Sequence, residues 1–179
     1  RQIQDSILKP ALAELRNECR PFTGALYIGL MIEGGRPYVL EFNCRLGDPE
    51  TQTALPLLMR READLFPFLH ATTNGTMGYR TSPFSPWHSV CVVIAAAGYP
   101  QKSRTGDVIT GLEEARCIEN VYVFEAGISR RPDGSLVTNG GRVLNVVGIG
   151  RHKESARKSA YEAVSKIHFD GMWYREDID

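Results

Sequence analysis

The sequence predicts an α+β fold in two parts, and three features of the chain support this prediction. An apolar run over 24–32 is interrupted by a polar, glycine-containing step and resumes at 37–40, which is the pattern of a β-hairpin. A stretch rich in Thr, Ser, Gly and Pro, 72–87, then breaks the apolar pattern. Beyond this stretch, strand-like segments outnumber helical ones. We therefore expect two domains, 1–81 and 82–179.

The first part should contain three helices in addition to the hairpin. Apolar residues at helical spacing predict a helix over 6–17, in which Pro10 either lies in the first turn or bends the helix. A second helix is expected to begin at 48–49, because proline suits the first helical position and the Glu50 carboxylate stabilises the first turn. A third helix is predicted over 64–71 from its apolar side.

The second part should be a small unit of antiparallel strands with one helix. The continuous apolar run over 90–97 predicts a strand buried on both faces. The segments 121–129 and 136–138 flank an Arg-Pro-Asp-Gly turn and predict an antiparallel pair. A further strand is expected over 142–149. Apolar residues at helical spacing over 156–167 predict an amphipathic helix.

Composition and charge narrow the possible functions. The 179 residues include 42% hydrophobic and 23% charged residues, with a formal net charge of zero, so nucleic-acid binding receives no support. No apolar run approaches the length of a membrane span, and we expect a cytoplasmic protein. The cysteines contain no C-x-x-C pair and the histidines lack partners at ligand spacing, which argues against a zinc site and favours a reducing compartment.

Three polar side chains alternate at the end of the predicted hairpin: Glu41, Asn43 and Arg45. Because successive side chains of a strand point to opposite faces, this spacing puts all three on one face. Mg²⁺ takes oxygen ligands, often one or two from the protein and others from nucleotide phosphates, and Glu41 with Asn43 can supply that pair. Arg45 beside the ion suits a developing phosphoryl or acyl-phosphate charge. The triad is expected to emerge from a buried hairpin, with Cys44 turned into the core.

Each of these signals also has a purely structural interpretation. Glu, Asn and Arg in alternation equally describe the solvated face of an edge strand. Asp48 is either a helix cap or a substrate contact. The loop 139–142 is either a tight turn that requires positive φ or a loop whose bare backbone and Arg142 approach a substrate phosphate. Residues 104–107 form either a plain turn or a loop that faces the substrate.

Several sequence blocks occur in an order that resembles a known family. These blocks are 21–32, 40–52 (with Leu-Glu-Phe-Asn-Cys-Arg-Leu-Gly-Asp-Pro-Glu-Thr-Gln), 96–100, 104–109 and 137–144. Together they resemble the phosphoribosylamine–glycine ligases, also called glycinamide ribonucleotide synthetases, of the ATP-grasp superfamily. The likeness extends from about Ile7 to Ile178, and the ordered set is far more specific than any single block.

The resemblance implies a fold, an activity and a site. The expected fold is the C-terminal part of an ATP-grasp catalytic domain, followed by a small mixed α+β domain that packs against the active site. The implied activity, in purine biosynthesis, is ATP-dependent ligation of glycine to 5-phosphoribosylamine through a glycyl phosphate, giving glycinamide ribonucleotide, ADP and phosphate. Glu41 and Asn43 would hold Mg²⁺ or Mn²⁺ against the ATP phosphates, and Arg45 would stabilise the transferring group. The expected substrate-side residues are Gly47, Asp48, Glu50 and Arg142.

One departure from the superfamily concerns the metal. Many ATP-grasp enzymes take another metal-binding carboxylate from the strand that precedes Glu-x-Asn, and 24–32 contains none. Either Glu41 bridges two ions, or only one ion is firmly held.

The resemblance also implies a missing partner. A helix near residue 6 leaves no room before it for a nucleotide-binding lobe, so we expect the chain to be the C-terminal portion of a longer enzyme and inactive alone. Two alternatives stay open: another ATP-grasp carboxylate–amine ligase or carboxylase subunit, and a non-catalytic module that packs on a partner.

Overall fold

The computed structural model shows two compact units. It describes residues 1–59, 65–76 and 85–178. The first unit comprises Arg1–Asp48 with Ala63–Pro83, and the second comprises Pro49–Glu62 with Phe84–Asp179. The α+β class is confirmed by the mixture of helices and antiparallel sheets. In the part of the chain that is described, no helix combines the length and apolar character needed to cross a bilayer.

The first unit begins with a helix, as predicted. A single π-helical turn, Gln4–Leu8, leads without a break into α1, Lys9–Asn17, and Pro10 is the second residue of α1. The helix over Leu65–Thr73 also matches its prediction, although the expected start at Asp64 lies outside the described residues. This helix is α3 in chain order, because α2, Glu50–Met59, precedes it in the sequence.

The first unit also contains a two-stranded hairpin. Strand β1, Tyr27–Glu33, pairs antiparallel with β2, Arg36–Asn43, around a turn in which Gly34 and Gly35 have φ of 56° and 76°. Both values lie in the left-handed region that glycine adopts without a steric penalty. The predicted hairpin is confirmed.

The expectation that this hairpin is buried is wrong. Apolar side chains on both strands remain exposed, since within the described ranges this sheet has two strands and no second sheet packs on it. The exposed apolar residues of the hairpin are Met31, Ile32, Tyr38, Val39, Leu40 and Phe42. Cys44 is exposed as well, because β2 ends before it.

The second unit is built on a three-stranded antiparallel sheet and a smaller pair. Its strands are β3 (His88–Ala95), β4 (Val121–Glu125), β5 (Ile128–Arg130), β6 (Leu136–Thr138) and β7 (Arg142–Gly150). The larger sheet has the order β3-β7-β4, and β5 pairs with β6 across the predicted turn. The expectation that all of 121–129 pairs with 136–138 is wrong, because β4 pairs with β7 instead. Strand β7 lies at the centre, so every residue of it after Arg142 is buried.

Helices cover the larger sheet. Helix α2, Glu50–Met59, begins close to the predicted start and packs against β3 and β7, with Leu58 fully buried. Helix α5, Lys153–Val164, also packs on these strands and buries its alanines. A short helix, α4, over Leu112–Arg116, was not predicted.

Two glycines of β7 allow α5 to approach closely. A Cβ atom at Gly148 would overlap the Ala156 carbonyl oxygen and lie 2.5 Å from the Ala160 amide nitrogen. A Cβ at Gly150 would meet the Ser155 side chain and lie 2.7 Å from the Ala156 nitrogen. Because these neighbours are mostly backbone atoms of a helix, they cannot move away cheaply.

Replacing Gly148 by alanine should therefore destabilise the second unit. We expect Gly148→Ala to lower the free energy of unfolding by about 3 kcal/mol, because the helix must shift away from the sheet. Urea unfolding followed by circular dichroism measures this loss. Gly134→Ala is the matched control, since a Cβ there meets nothing within 4 Å and only its φ of 89° is unfavourable, with a cost of about 1 kcal/mol. Equal losses in the two variants would contradict the packing described.

Candidate metal and substrate site

Glu41 and Asn43 share one face of the hairpin. In the β1–β2 register, Glu41 lies opposite Gly29 and Asn43 lies opposite Tyr27. Glu41 is exposed, and its carboxylate has no hydrogen bond or ion pair within the described part of the chain. The two side chains predicted to act together are therefore neighbours on the same surface of β2.

The side-chain amide of Asn43 is the more deeply placed of the two groups. Its Nδ2 atom is buried and has no hydrogen-bond partner among the described residues. A buried polar atom without a partner is unfavourable unless a ligand or an ion satisfies the group. The oxygen and nitrogen of a side-chain amide are distinguished by their hydrogen bonds, and here Nδ2 has none among the described residues. A half-turn of the Asn43 amide would place Oδ1 where Nδ2 now lies.

These donors suit a hard divalent cation. Mg²⁺ prefers oxygen ligands and is commonly held by only one or two protein groups together with phosphates and water. Glu41 and Asn43 provide one carboxylate and one amide oxygen, so the residues present fit this ion. No group of three or more His, Cys, Asp or Glu residues that could hold a metal occurs among the described residues. A site here would therefore depend on phosphate oxygens for its remaining ligands.

Arg45 lies beyond the strand rather than on it. Strand β2 ends at Asn43, and Arg45 falls in a bend, so strand alternation does not determine where its side chain points. Its guanidinium is exposed and donates one hydrogen bond of 3.0 Å from Nη1 to the carbonyl oxygen of Leu46. Since a guanidinium carries five N–H donors, it retains the capacity to bind an anion.

The three residues after Arg45 that were predicted to face the substrate lie in different settings. Gly47 is buried, and Asp48 is exposed in the turn that ends the first unit. Glu50 is exposed in the first turn of α2, in the second unit. The Pro49 carbonyl oxygen accepts a 3.2 Å hydrogen bond from the Thr53 amide, which places Pro49 at the helix start.

Arg142 follows a glycine pair that is required for close packing. Neither Gly140 nor Gly141 has a positive φ, so the interpretation of 139–142 as a turn that needs positive φ is wrong. A Cβ at Gly140 would lie 3.0 Å from the Gly127 Cα, and one at Gly141 would overlap the Tyr99 ring. The tight contacts hold the loop against its neighbours and fix the backbone from which Arg142 projects.

A cavity of about 250 Å³ lies beside Arg142 in the second unit. Its floor comes from alternate residues of β3, and its lining residues are Pro49, Cys91, Val93, Ala95, Tyr99, Arg142, Trp173, Arg175 and Ile178. The rings of Tyr99 and Trp173 are 6.3 Å apart between centroids. An apolar floor with two aromatic rings and two guanidinium groups suits a ligand that carries negative charge.

Sequence reasoning missed Tyr99, Trp173 and Arg175. Trp173 reaches the cavity because its backbone pairs with Ala95 through two hydrogen bonds of 2.9 and 3.1 Å, at the end of β3. This pairing joins positions far apart in sequence, and no local pattern near Trp173 signals it.

Side chains of α5 hold the C-terminal segment in place. The Tyr161 hydroxyl donates to the Arg175 carbonyl oxygen at 2.7 Å and accepts from the Ile178 amide at 3.1 Å. Arg157 donates to the carbonyl oxygens of Glu176 and Ile178 at 2.7 and 3.0 Å. Its guanidinium lies 4.6 Å from the centroid of the Tyr161 ring. Arg175 therefore reaches the cavity from a backbone that is fixed by the helix.

Three ion pairs among the described residues contribute to the charge of this region. Arg175 binds Asp177 through two hydrogen bonds of 2.9 and 2.7 Å, and the bonds from Arg175 lower the pKa of Asp177 below its ordinary value. A carboxylate with a lowered pKa stabilises the fold above its unfolded pKa and ceases to do so as the pH falls through the folded value, so this pair is intact near neutral pH. Arg104 similarly pairs with Asp107 and Asp170, at 2.9 and 2.6 Å, and ties the 104–107 loop to the C-terminal segment.

Comparisons with known families identify the chain. Residues 1–51 match the family model described as phosphoribosylglycinamide synthetase, ATP-grasp (A) domain. Residues 89–179, more than half of the chain, match phosphoribosylglycinamide synthetase, C domain. Together, the two matches define the class of protein: an ATP-grasp segment followed by a synthetase C domain. The chain belongs to the phosphoribosylglycinamide synthetase family, and the resemblance predicted from its sequence blocks is confirmed.

Curated relatives share the family and are much longer. Phosphoribosylamine–glycine ligase of Neisseria meningitidis serogroup B is 46% identical over 175 residues, which cover 97% of this chain and 40% of the relative. The ligase of Rhodopirellula baltica is 45% identical over 179 residues, with 99% and 40% covered. The chain thus spans about two fifths of the length of the relatives it matches.

Solved structures agree with the fold. A crystal structure of phosphoribosylamine–glycine ligase from Thermotoga maritima matches with a TM-score of 0.78 and 40% identity, covering 98% of this chain and 42% of that chain. N5-carboxyaminoimidazole ribonucleotide synthetase from Thermotoga maritima matches with a TM-score of 0.55 and 15% identity, covering 94% and 43%. The second match concerns the fold alone.

Removing the Tyr161 hydroxyl should loosen the segment that lines the cavity. We expect Tyr161→Phe to speed amide hydrogen exchange over 173–178, because two hydrogen bonds worth about 1 kcal/mol each are lost. Hydrogen exchange read by mass spectrometry measures this change. Tyr122→Phe on β4 is the matched control and should leave exchange in that segment unchanged. Equal exchange in wild type and Tyr161→Phe would show that the hydroxyl does not hold the segment.

Proposed function

We propose that this chain works within a longer polypeptide that ligates glycine to 5-phosphoribosylamine at the expense of ATP. The observation that carries the proposal is that an exposed carboxylate, Glu41, shares one face of β2 with the Asn43 amide, whose buried Nδ2 has no partner among the described residues. Membership of the family and relatives that carry the ligase name support the substrates. The longer polypeptide is proposed because the chain spans about two fifths of those relatives.

In the proposed reaction, the glycine carboxylate takes the terminal phosphoryl group of ATP to form glycyl phosphate. The amine of 5-phosphoribosylamine then attacks the acyl carbon, loses a proton and expels phosphate. The products are glycinamide ribonucleotide, ADP and phosphate. Such catalysis depends chiefly on positioning the groups and on stabilising negative charge.

The residues of the first unit have distinct proposed roles. Glu41 and Asn43 supply oxygen ligands to Mg²⁺ or Mn²⁺, which when bound neutralises charge on the ATP phosphates. The Arg45 guanidinium binds oxygens of the transferring phosphoryl group, since its remaining donors form a planar fork. Gly47, Asp48 and Glu50 are proposed to line the substrate side.

Arg142 is the proposed substrate contact of the second unit. The cavity beside it carries a second guanidinium, Arg175, and two aromatic rings. A guanidinium can bind a phosphate group through charge-assisted hydrogen bonds, and the charge of Arg175 is already balanced by Asp177. We therefore propose that Arg142 binds an anionic part of the substrate.

The division into domains and the location of the protein are also proposed. Residues 1–81 would belong to the catalytic ATP-grasp domain, and 82–179 to the C-terminal domain that packs against the active site. A cytoplasmic location is proposed because purine-pathway ligases act on phosphorylated metabolites and all four cysteines are free thiols. Nucleic acid and membrane partners have no proposed role.

The complete enzyme should depend on Glu41 and Asn43 for metal-dependent turnover. We expect Glu41→Ala or Asn43→Ala to lower the rate of glycinamide ribonucleotide formation by about 100-fold or more, because an oxygen ligand is lost while the fold is kept. Rates measured across a range of Mg²⁺ and Mn²⁺ concentrations test this. Glu33→Ala, an exposed glutamate at the end of β1, is the control and should retain activity. Near-normal rates at ordinary Mg²⁺ in Glu41→Ala would refute the metal assignment.

Arg45 should not tolerate replacement by lysine. We expect Arg45→Lys to lower kcat by roughly 10- to 100-fold, because a single ammonium does not reproduce the charge-assisted bonds of the guanidinium fork. Steady-state kinetics with saturating ATP measure the loss. Arg36→Lys at the hairpin turn is the matched control and should behave as wild type. A kcat for Arg45→Lys equal to that of Arg36→Lys would remove Arg45 from the proposed mechanism.

A further inference from the structure

Strand β2 contains one residue more than β1 at the proposed metal site. Gly29 pairs with Glu41, whereas the next residue, Leu30, pairs with Val39, so Leu40 has no residue opposite it. This is a β-bulge, and bulges are frequent next to active sites because they re-aim side chains. In a regular pairing, Val39 and Glu41 would share a face.

The bulge puts Glu41 on the face it needs. Gly29 and Leu30 are adjacent, so their positions face opposite sides of the hairpin. Glu41 pairs with Gly29, whereas Val39 pairs with Leu30. Because of the extra residue between them, the side chains of Glu41 and Val39 lie on opposite faces of the hairpin. Glu41 then shares its face with Asn43, two residues later.

Gly29 provides the space that the Glu41 side chain occupies. A Cβ at Gly29 would lie 3.0 Å from Glu41 Cγ, 3.8 Å from Cδ and 3.7 Å from Oε1. Gly29 is buried and, unlike Gly34 and Gly35 in the turn, has no positive φ. Backbone conformation therefore does not require glycine at position 29. The reason for glycine there is the side chain that lies across it.

We propose that Gly29, together with the bulge at Leu40, positions the Glu41 carboxylate for cation binding. The proposal rests on the proposed function, because it takes Glu41 as a metal ligand. Gly29 is a positioning residue that acts through Glu41 and touches no substrate. A methyl group at Gly29 would lie 3.0 Å from Glu41 Cγ, so the Glu41 side chain must shift and its carboxylate is displaced from its present position. The cation should then bind more weakly, while the chemistry at saturating cation should change little.

Mn²⁺ binding to the complete enzyme tests the proposal. The Mn²⁺ concentration for half occupancy is measured by electron paramagnetic resonance with saturating ADP. We expect Gly29→Ala to raise this concentration about tenfold, the size of effect seen when a group that orients a metal ligand is lost. In steady-state assays, the Mn²⁺ requirement should rise by a similar factor, and kcat at saturating Mn²⁺ should stay within about twofold of wild type. Leu30→Ala, on the opposite face of β1, is the control and should leave Mn²⁺ binding unchanged.

A double-mutant comparison separates positioning from general damage. In a Glu41→Gln background, Gly29→Ala should have no further effect on Mn²⁺ binding, because the side chain through which it acts has already been changed. An equal loss in both backgrounds, unchanged Mn²⁺ binding in Gly29→Ala, or loss of folded structure by circular dichroism in Gly29→Ala would overturn the proposal while leaving the proposed function intact. If Glu41→Gln itself binds Mn²⁺ as wild type does, the proposed function and this inference both fail.

Discussion

The pairing of β1 with β2 determines what the first unit can do. Backbone hydrogen bonds fix the register, and the register fixes which side chains share a face. A slip of one residue would move Glu41 and Asn43 to the opposite side of the hairpin. The extra residue in β2 and the absent side chain at Gly29 therefore belong to the proposed site, although neither residue carries a functional group.

The second unit depends on close approach of backbone atoms. Gly148 and Gly150 let α5 rest directly on β7, and Gly141 lets its loop lie against Tyr99 and Ser103. The same helix then holds the C-terminal segment through Arg157. A rigid core of small residues thus supports a cavity whose polar groups come from distant parts of the chain. Packing of this kind positions arginines more accurately than flexible loops can.

The sequence predicted the elements well because their signals are local. The hairpin follows from an apolar run interrupted by two glycines, and β7 follows from a continuous apolar segment. The family was also recognisable from ordered blocks, and the comparisons confirm it. The helix α4 was missed because its five residues are too short to show a helical period.

Features that depend on tertiary contacts were not predictable from local patterns. Leu40 resembles its apolar neighbours, so nothing in its identity signals a bulge. The alternation of Glu41, Asn43 and Arg45 suggested one strand face, but the strand ends before Arg45. The glycine pair before Arg142 was interpreted through φ, whereas its role is close packing. The contribution of Trp173 arises from pairing with Ala95, which is distant in sequence.

The most direct test of the proposed metal site is a crystal structure of the complete enzyme with Mn²⁺ and an ATP analogue, in which anomalous scattering locates the Mn²⁺ ion. We expect an anomalous peak within bonding distance, about 2.1 Å as for Mg²⁺, of side-chain oxygens of both Glu41 and Asn43. The same ion should also contact phosphate oxygens of the nucleotide. A nucleotide-bound cation that is coordinated by other protein groups, with Glu41 and Asn43 turned away from it, would contradict the account.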